Sequence, residues 1–249
     1  MAKISPARQL FVDRRFGEAV EAYRRQLREG PGGEWPNLDG LAESLLASGK
    51  YAEAIPVLEK VGDYLSNSHA GALGKQEQLS VCHWMIGDHD GALGVIRGLV
   101  IAVRDRKIGY TDSSGGVPYG LILCYMAITL RSIADVDLAM NYLKTLATRP
   151  YIQNWPGPVA LFLLGGLSFG NVVKAATGTV DLVEAKALAE QDGWKRRHLT
   201  PTLFAAGTER RMAGDEQGAR MFFAECASLT NPLVEYEWYL AKSDVQSSS

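Results

Sequence analysis

The stretch GKYAEAIPVLEK (49–60) has four relatives within the same chain: RRFGEAVEAYRR (14–25), GDHDGALGVIRG (87–98), DVDLAMNYLKTL (135–146) and GDEQGARMFFAE (214–225). Each carries a small residue at one place: Ala19, Ala54, Ala92, Ala139 or Ala219. Each carries a bulky one four positions on: Tyr23, Leu58, Ile96, Leu143 or Phe223. Residues four apart share one face of an α-helix. The small residue lets a second helix approach closely, and the bulky one fills the space where the two diverge. A helix of this kind cannot bury its stripe alone, so such copies must stack on neighbours.

An apolar stripe precedes the best-formed copy: Leu38, Leu41, Ala42 and Leu45 follow three- and four-residue spacing. The turns fall at Gly49, at Gly87 with Asp88 and at Gly214 with Asp215, where glycine accepts the positive φ of a helix end. The spacing predicts helix pairs over 6–31 (ending in Pro31), 38–61, 76–99, 123–146 and 203–229. A degenerate sixth unit spans 158–191, with Leu164 and Gly165 in its first helix and EAKALAE (184–190) in its second. Intervals of 35, 38, 47 and 80 residues between the small positions place insertions late in the array. A single all-α domain over 1–243 is expected, closed by a helix around 233–241. In that helix Leu233, Tyr236, Trp238 and Leu240 turn inward while Glu235 and Glu237 face water. Residues 244–249 read as a disordered tail.

The pattern L-x-x-L-A-x-x-L followed by G-x-Y-x-E-A-I-x-x-L, as it stands in 38–61, resembles the tetratricopeptide repeat. The resemblance implies an α-solenoid of about five to six helix pairs with a C-terminal capping helix. It also implies a function in binding another protein, on a concave surface lined by the first helix of each pair. Carried over residue by residue, that face holds Phe11, Asp39, Glu43, Glu77, Val81, Trp84, Arg131, Phe162, Phe204 and Arg211. Acidic residues lie early on it and arginines late, an arrangement that orients a partner. Trp84 is the residue expected to contribute most to binding.

Two insertions depart from the repeat: RDRKIGYTDSSGGVPYGL (104–121) and TRPYIQNWPGPVA (148–160). Their Gly, Pro, Ser and aromatic content marks ordered loops that brace neighbouring repeats. With Asp112, Gly115 and Gly116, the run 155–158 and the closing 234–236, they resemble bacterial tetratricopeptide-type proteins, some of them encoded beside toxins. The implied function is that of an immunity protein neutralising a cognate toxin domain. The alternative is an adaptor or secretion chaperone holding a segment of a secreted effector.

Composition excludes other classes. The net charge of −2 and 22% charged residues favour neither nucleic acid nor an anionic membrane. Cys82, Cys124 and Cys226 fall in apolar helical patterns, as buried thiols of a cytoplasmic protein do. The N-terminal run carries charges where a signal peptide needs its apolar centre. The uncharged stretch 154–173 contains an apolar run shorter than the roughly twenty residues a spanning helix needs, and it is rich in glycine.

Catalysis is not expected, nor any cofactor or metal. Gly166-Leu167-Ser168-Phe169-Gly170 matches G-x-S-x-G, so a hydrolase using Ser168 is the distant alternative, but no strand precedes it and the stretch reads as one helix of a repeat. His69, His83, His89 and His198 include no i, i+4 pair, and Asp88-His89-Asp90 fits a polar turn. The GK pairs at 49–50 and 74–75 lack the rest of a phosphate loop.

Overall fold

The computed structural model describes residues 4–30, 33–65, 72–110, 112–233 and 235–247. Pro31, His69 and Val234, each used in the sequence reasoning, lie outside them. All regular structure among the described residues is helical. The chain divides into two compact units, residues 1–95 and 96–249, where the repeat pattern predicts one domain.

The first unit contains α1 (Pro6–Val12), α2 (Phe16–Glu29), α3 (Glu34–Ala47), α4 (Tyr51–Leu65), α5 (Ala72–Met85) and the start of α6 (His89–Arg104). The second holds the rest of α6, then α7 (Val117–Thr129), α8 (Ile133–Ala147), a 3-10 turn (Pro150–Gln153) and α9 (Gly157–Leu163). It continues with α10 (Phe169–Thr177), α11 (Leu182–Gln191), α12 (Gly193–Met212), α13 (Glu216–Ser228) and α14 (Glu237–Ser247).

Helices flank all five turns expected from the repeats, and α1/α2, α3/α4, α7/α8 and α12/α13 pack as pairs. All five alanines of the repeat are fully buried and their bulky partners are at most 4% exposed. Close approach extends to the first helices, where a glycine faces a bulky residue of an adjacent helix. A Cβ on Gly40 would come within 2.2 Å of the Tyr23 ring, one on Gly120 within 2.7 Å of Leu143 and one on Gly207 within 2.6 Å of Phe223.

One turn geometry joins all five pairs. Three residues separate the helices, and the middle one is left-handed: Arg14, Gly49, Gly87, Arg131 or Gly214. In the α3/α4 turn the Gly49 N–H donates to the Leu46 carbonyl (3.0 Å) and the Lys50 N–H to the Leu45 carbonyl (2.9 Å). The same two bonds recur in the other four turns, satisfying carbonyls that a helix end leaves open. Two of the five turns place arginine at φ +61° and +57°, where a side chain crowds the carbonyl and glycine does not.

In the first unit successive helices pack in order, α1 on α2 through to α4 on α5. The second unit is not a single file. α12 packs against α7, α9, α10, α11, α13 and α14, and its residues 199–208 are buried throughout. A simple solenoid brings each repeat into contact with its neighbours alone. Here α12 is a hub that several helices share.

The two insertions fasten to each other. The fully buried Ser114 Oγ donates to the Asn154 carbonyl (2.6 Å) and accepts from the Gly157 N–H (3.0 Å). The Ser113 Oγ donates to the Trp155 carbonyl (2.9 Å), and Asp112 accepts from the Ser114 and Gly116 N–H groups. Trp155 stacks on His198 at 4.4 Å, and Tyr119, in the first turn of α7, is buried. These contacts make the insertions a clasp within the second unit.

Three expectations are corrected. The degenerate unit has an extra helix: α9 ends before Leu164, Gly165 turns left-handed at φ +75°, and α10 intervenes before α11. The closing helix begins at Glu237, because Leu233 at φ +74° belongs to a bend; Tyr236, Trp238 and Leu240 are buried as expected, but the outward placement of the two glutamates fails. Glu237 is consequently 1% exposed, not solvated, and the Glu235 carboxylate pairs with Arg197 (2.6 Å). Residues 244–247 are helix, not a tail: Asp244 is buried, accepting from Arg211 Nη1 (2.6 Å), Arg211 Nη2 (3.1 Å) and the Tyr125 hydroxyl (3.0 Å).

Candidate protein-binding groove

Five of the ten residues assigned to a binding face are buried. Phe11, Val81, Trp84 and Phe204 are at most 4% exposed and belong to the core. Trp84 packs at a tilt against the His89 ring, 4.4 Å between centroids, across the α5/α6 turn, so it fills the hairpin instead of presenting a face. Glu77 is buried as well, and Phe162 is half-buried against Phe169. Arg131 is the left-handed residue of a turn, and the Arg211 guanidinium is committed to Asp244. The cause is common to the buried cases. A first helix packs against its own partner and also against other helices, so positions beside the apolar stripe are covered too.

Asp39 and Glu43 behave differently. Both lie on α3, one turn apart, and line a groove of about 560 Å³ bounded by α1, α2 and α3. Arg8 enters from α1 and its Nη1 donates to Glu43 Oε2 (2.5 Å), while its guanidinium covers the Phe11 ring at 4.8 Å. Asp39 forms an ion pair with Lys75 of α5. Tyr23 of α2 lies against Gly40; burial pushes its hydroxyl above the ordinary tyrosine value, with Arg8 pulling against the rise. A second hollow of about 300 Å³ adjoins through Gln26 and Asn37, beside the Lys60–Glu34 ion pair (2.5 Å).

Three polar atoms among these residues are enclosed and have no hydrogen-bond partner: Gln26 Oε1 on α2, and Trp35 Nε1 and Asp39 Oδ1 on α3, the last facing Lys75 in its ion pair. Trp35 is held by packing against the cluster of Leu38 and Val61. The sequence pattern points to neither Gln26 nor Trp35, nor to Arg8, and it marks Tyr23 only as the bulky packing residue of its repeat. The one available signal was a tryptophan at the polar start of a helix, in GGEWPN.

The chemical motifs resolve into local structure. Ser168 is the N-cap of α10, its Oγ accepting from the Asn171 N–H (3.4 Å), so G-x-S-x-G sits in a helix–turn–helix, not inside one helix. The strand-to-helix elbow that the hydrolase motif requires is not formed there. Asp88 accepts from the Gly91 N–H (3.0 Å) and pairs with His83 Nδ1 (2.7 Å), which makes the Asp88-His89-Asp90 run a cap. The described residues contain no cluster of three metal-ligating side chains and no helix long and apolar enough to cross a membrane. Cys82 and Cys124 are buried, and burial pushes each thiol up to about 12.

Neither protein-family models, curated proteins nor solved structures give a match to this chain.

Proposed function

We propose that this chain is a non-enzymatic protein-binding module whose contact region is the α1–α3 groove. The observation that carries the reading is the convergence of Asp39, Glu43, Arg8, Tyr23 and Trp35 from three helices on one open hollow. Pockets of roughly 300–1,000 Å³ with a few convergent polar groups are the usual form of a recognition site. Trp, Tyr and Arg are also the side chains that dominate interface energetics. The groove suits a segment of a partner better than a broad flat face. A toxin domain neutralised through such a segment, or a secreted effector held by one, are the two partners in view.

Site-specific photocrosslinking in living cells tests the reading. A benzophenone amino acid at position 43 should yield an adduct with one polypeptide, whereas the same group at the exposed Glu53 on α4 should not. Equal adducts from both positions, or none from position 43, would remove the groove as the contact region. Protection against a toxin encoded beside this chain, lost on Glu43→Lys, separates the immunity role from effector holding.

A further inference from the structure

We infer that Arg149, with Tyr110 and Tyr151, forms a second contact point, which takes the carboxylates of an acidic segment of a partner polypeptide. It lies in the second unit, on the two clasped insertions, and does not depend on the α1–α3 groove. Arg149 follows α8, Tyr151 lies in the 3-10 turn and Tyr110 belongs to the insertion after α6. Arg149 Nη1 donates to the Tyr151 hydroxyl (2.8 Å), and that hydroxyl meets the Tyr110 hydroxyl at 3.2 Å. The guanidinium also lies over both rings, 5.8 Å from the centre of Tyr151 and 6.0 Å from that of Tyr110. Nη1 packs on Gly115, where a Cβ would come within 2.9 Å of it. The half-buried cation is therefore positioned by the clasp, unlike an arginine on an open helix face.

This cluster lacks acceptors. A guanidinium has five N–H groups, and only one of Arg149's reaches an acceptor among the described residues. Nε and Nη2 are not enclosed, so their N–H groups open to solvent. The two tyrosine hydroxyls hold two hydrogens, and one of these lies between them. The other partner of Tyr151 is itself a donor, so the second hydrogen is left over whichever way the first points. The bond to Tyr151 raises the Tyr110 hydroxyl above its ordinary value, which keeps its proton in place. Asp112 accepts from the Ser114 and Gly116 N–H groups, and no carboxylate among the described residues pairs with Arg149. Every unmet group is thus a donor beside a positive charge. A carboxylate is acceptor-only and takes two parallel N–H bonds from the Nε–Nη2 edge. One guanidinium balances one carboxylate, whereas a phosphate group carries close to two negative charges. Asp105 is taken by Arg104 (2.9 Å) and Lys107 (4.0 Å), which leaves Arg106 without an ion pair among the described residues. Further acidic side chains beside the first would therefore meet positive potential near the exposed Tyr110.

The Arg149 Nε–H resonance of the full chain, assigned with Arg149→Lys, is the reporter. It is followed at low salt while titrating acetyl-Asp-Glu-Asp-Glu amide. The expected result is a saturable shift, with binding at least about tenfold weaker for the Asn-Gln-Asn-Gln counterpart. Backbone amides of Ser114 and Gly115 read the same titration in variants. Arg149→Lys keeps the charge but loses the planar fork, and should weaken binding about tenfold. Arg106→Gln removes a whole charge and should weaken it only about twofold. An unmoved Nε–H, or equal affinity for the two peptides, overturns the inference. A larger loss from Arg106→Gln than from Arg149→Lys overturns it too, by showing diffuse attraction. So does tighter binding of inorganic phosphate than of the acidic peptide. Both peptides and phosphate are compared on the unaltered chain, so the inference stays testable should Arg149→Lys fail to fold. Crosslinking from position 43 reads the groove alone, so either proposal can fail without the other.

Discussion

Replacement of Asp244 by alanine tests how the C-terminal helix is held. Asp244 and Arg211 are 7% and 10% exposed at their side chains, and two N–H groups of the guanidinium reach both carboxylate oxygens. The same carboxylate accepts from the Tyr125 hydroxyl, and the guanidinium lies 4.9 Å from the centre of the Phe223 ring. Removing one partner of a buried ion pair costs roughly 3–5 kcal/mol, because the other charge stays behind uncompensated. Arg211 keeps Glu216 at 3.2 Å, a carboxylate 55% exposed and well screened, so the lower end of that range applies, about 3 kcal/mol. In a unit of this size that amounts to a drop of about 6–12 °C in melting temperature. Truncation after Ser243 should cost at least as much, since it also removes the last turn of α14. The companion variant Arg211→Met closes a double-mutant cycle, and with Asp244→Ala it should recover much of the loss. Thermal and urea unfolding followed by circular dichroism read all four proteins. A loss under about 1 kcal/mol for Asp244→Ala, or for the truncation, would show that residues 244–247 are the dispensable tail their composition suggests.

Three further outcomes follow from the geometry. Gly49→Ala should destabilise by about 1 kcal/mol and Arg131→Gly should stabilise by up to about 1 kcal/mol, because the first forces a side chain into the left-handed region and the second removes one; shifts of the same sign in urea unfolding would contradict the shared turn. Ser114→Ala removes the hydroxyl that bridges the Asn154 carbonyl and the Gly157 N–H, which keep their own bond to each other (2.7 Å), so the cost is about 0.5–1.5 kcal/mol, and amide exchange at 112–116 and 154–158 should accelerate together; acceleration on one side alone would mean that the insertions are held independently. Burial pushes the Glu237 carboxyl from 4.5 up to about 8, with Glu235 adding to the rise; a folded value above the unfolded one means stability is full below pH 4.5 and falls as pH climbs towards 8, by about 1.4 kcal/mol per pH unit. Glu237→Gln should flatten that decline, and a variant curve parallel to the parent's would place the titration elsewhere.

The repeat was legible because its signal is carried twice. Ala19 with Tyr23, or Ala54 with Leu58, marks both a close crossing and the divergence that follows, and two constraints at fixed spacing survive even where the flanking sequence drifts. Turn positions were legible at Gly49, Gly87 and Gly214 for the same reason: a left-handed residue is chemically conspicuous when it is glycine. Arg14 and Arg131 adopt the same conformation without advertising it, so the exposed Arg131 reads in the sequence as part of a first helix and not as the turn residue it is. The binding face failed more widely. Val81, Trp84 and Phe204 lie beside the stripe that defines a first helix, and their exposure depends on what packs there from other elements. The sharing of α12 among six helices is a tertiary fact with no local periodicity. The groove was half legible, through Asp39 and Glu43, because carboxylates on a mostly apolar helix have few places to go. Gln26 and Trp35 were not, since an unmet hydrogen bond is a property of surroundings and leaves no mark in the chain itself.

That unmet pair is best understood against the other buried polar groups. Ser114, Asp112, Arg211 and Asp244 each end in specific partners, so their burial is balanced within the fold. Glu237 Oε1 is enclosed without a partner too, yet it has a remedy. With its pKa pushed up to about 8, the carboxyl holds a proton at neutral pH and avoids burying a charge. Gln26 and Trp35 have no such recourse, because neither an amide oxygen nor an indole N–H changes protonation near neutrality. Local rearrangement is restricted as well, since Trp35 packs on Leu38 and Val61 and Gln26 projects from α2 between two hollows. A fold that gives Ser114, Asp112, Arg211 and Asp244 internal partners, and relieves a stranded carboxyl with a proton, leaves the Gln26 oxygen and the Trp35 N–H enclosed without either remedy. Sites of function are where such local rules are broken without an internal remedy. By that criterion the α1–α3 groove, more than the tightly clasped second unit, is the place to test for the contact that the proposed function requires.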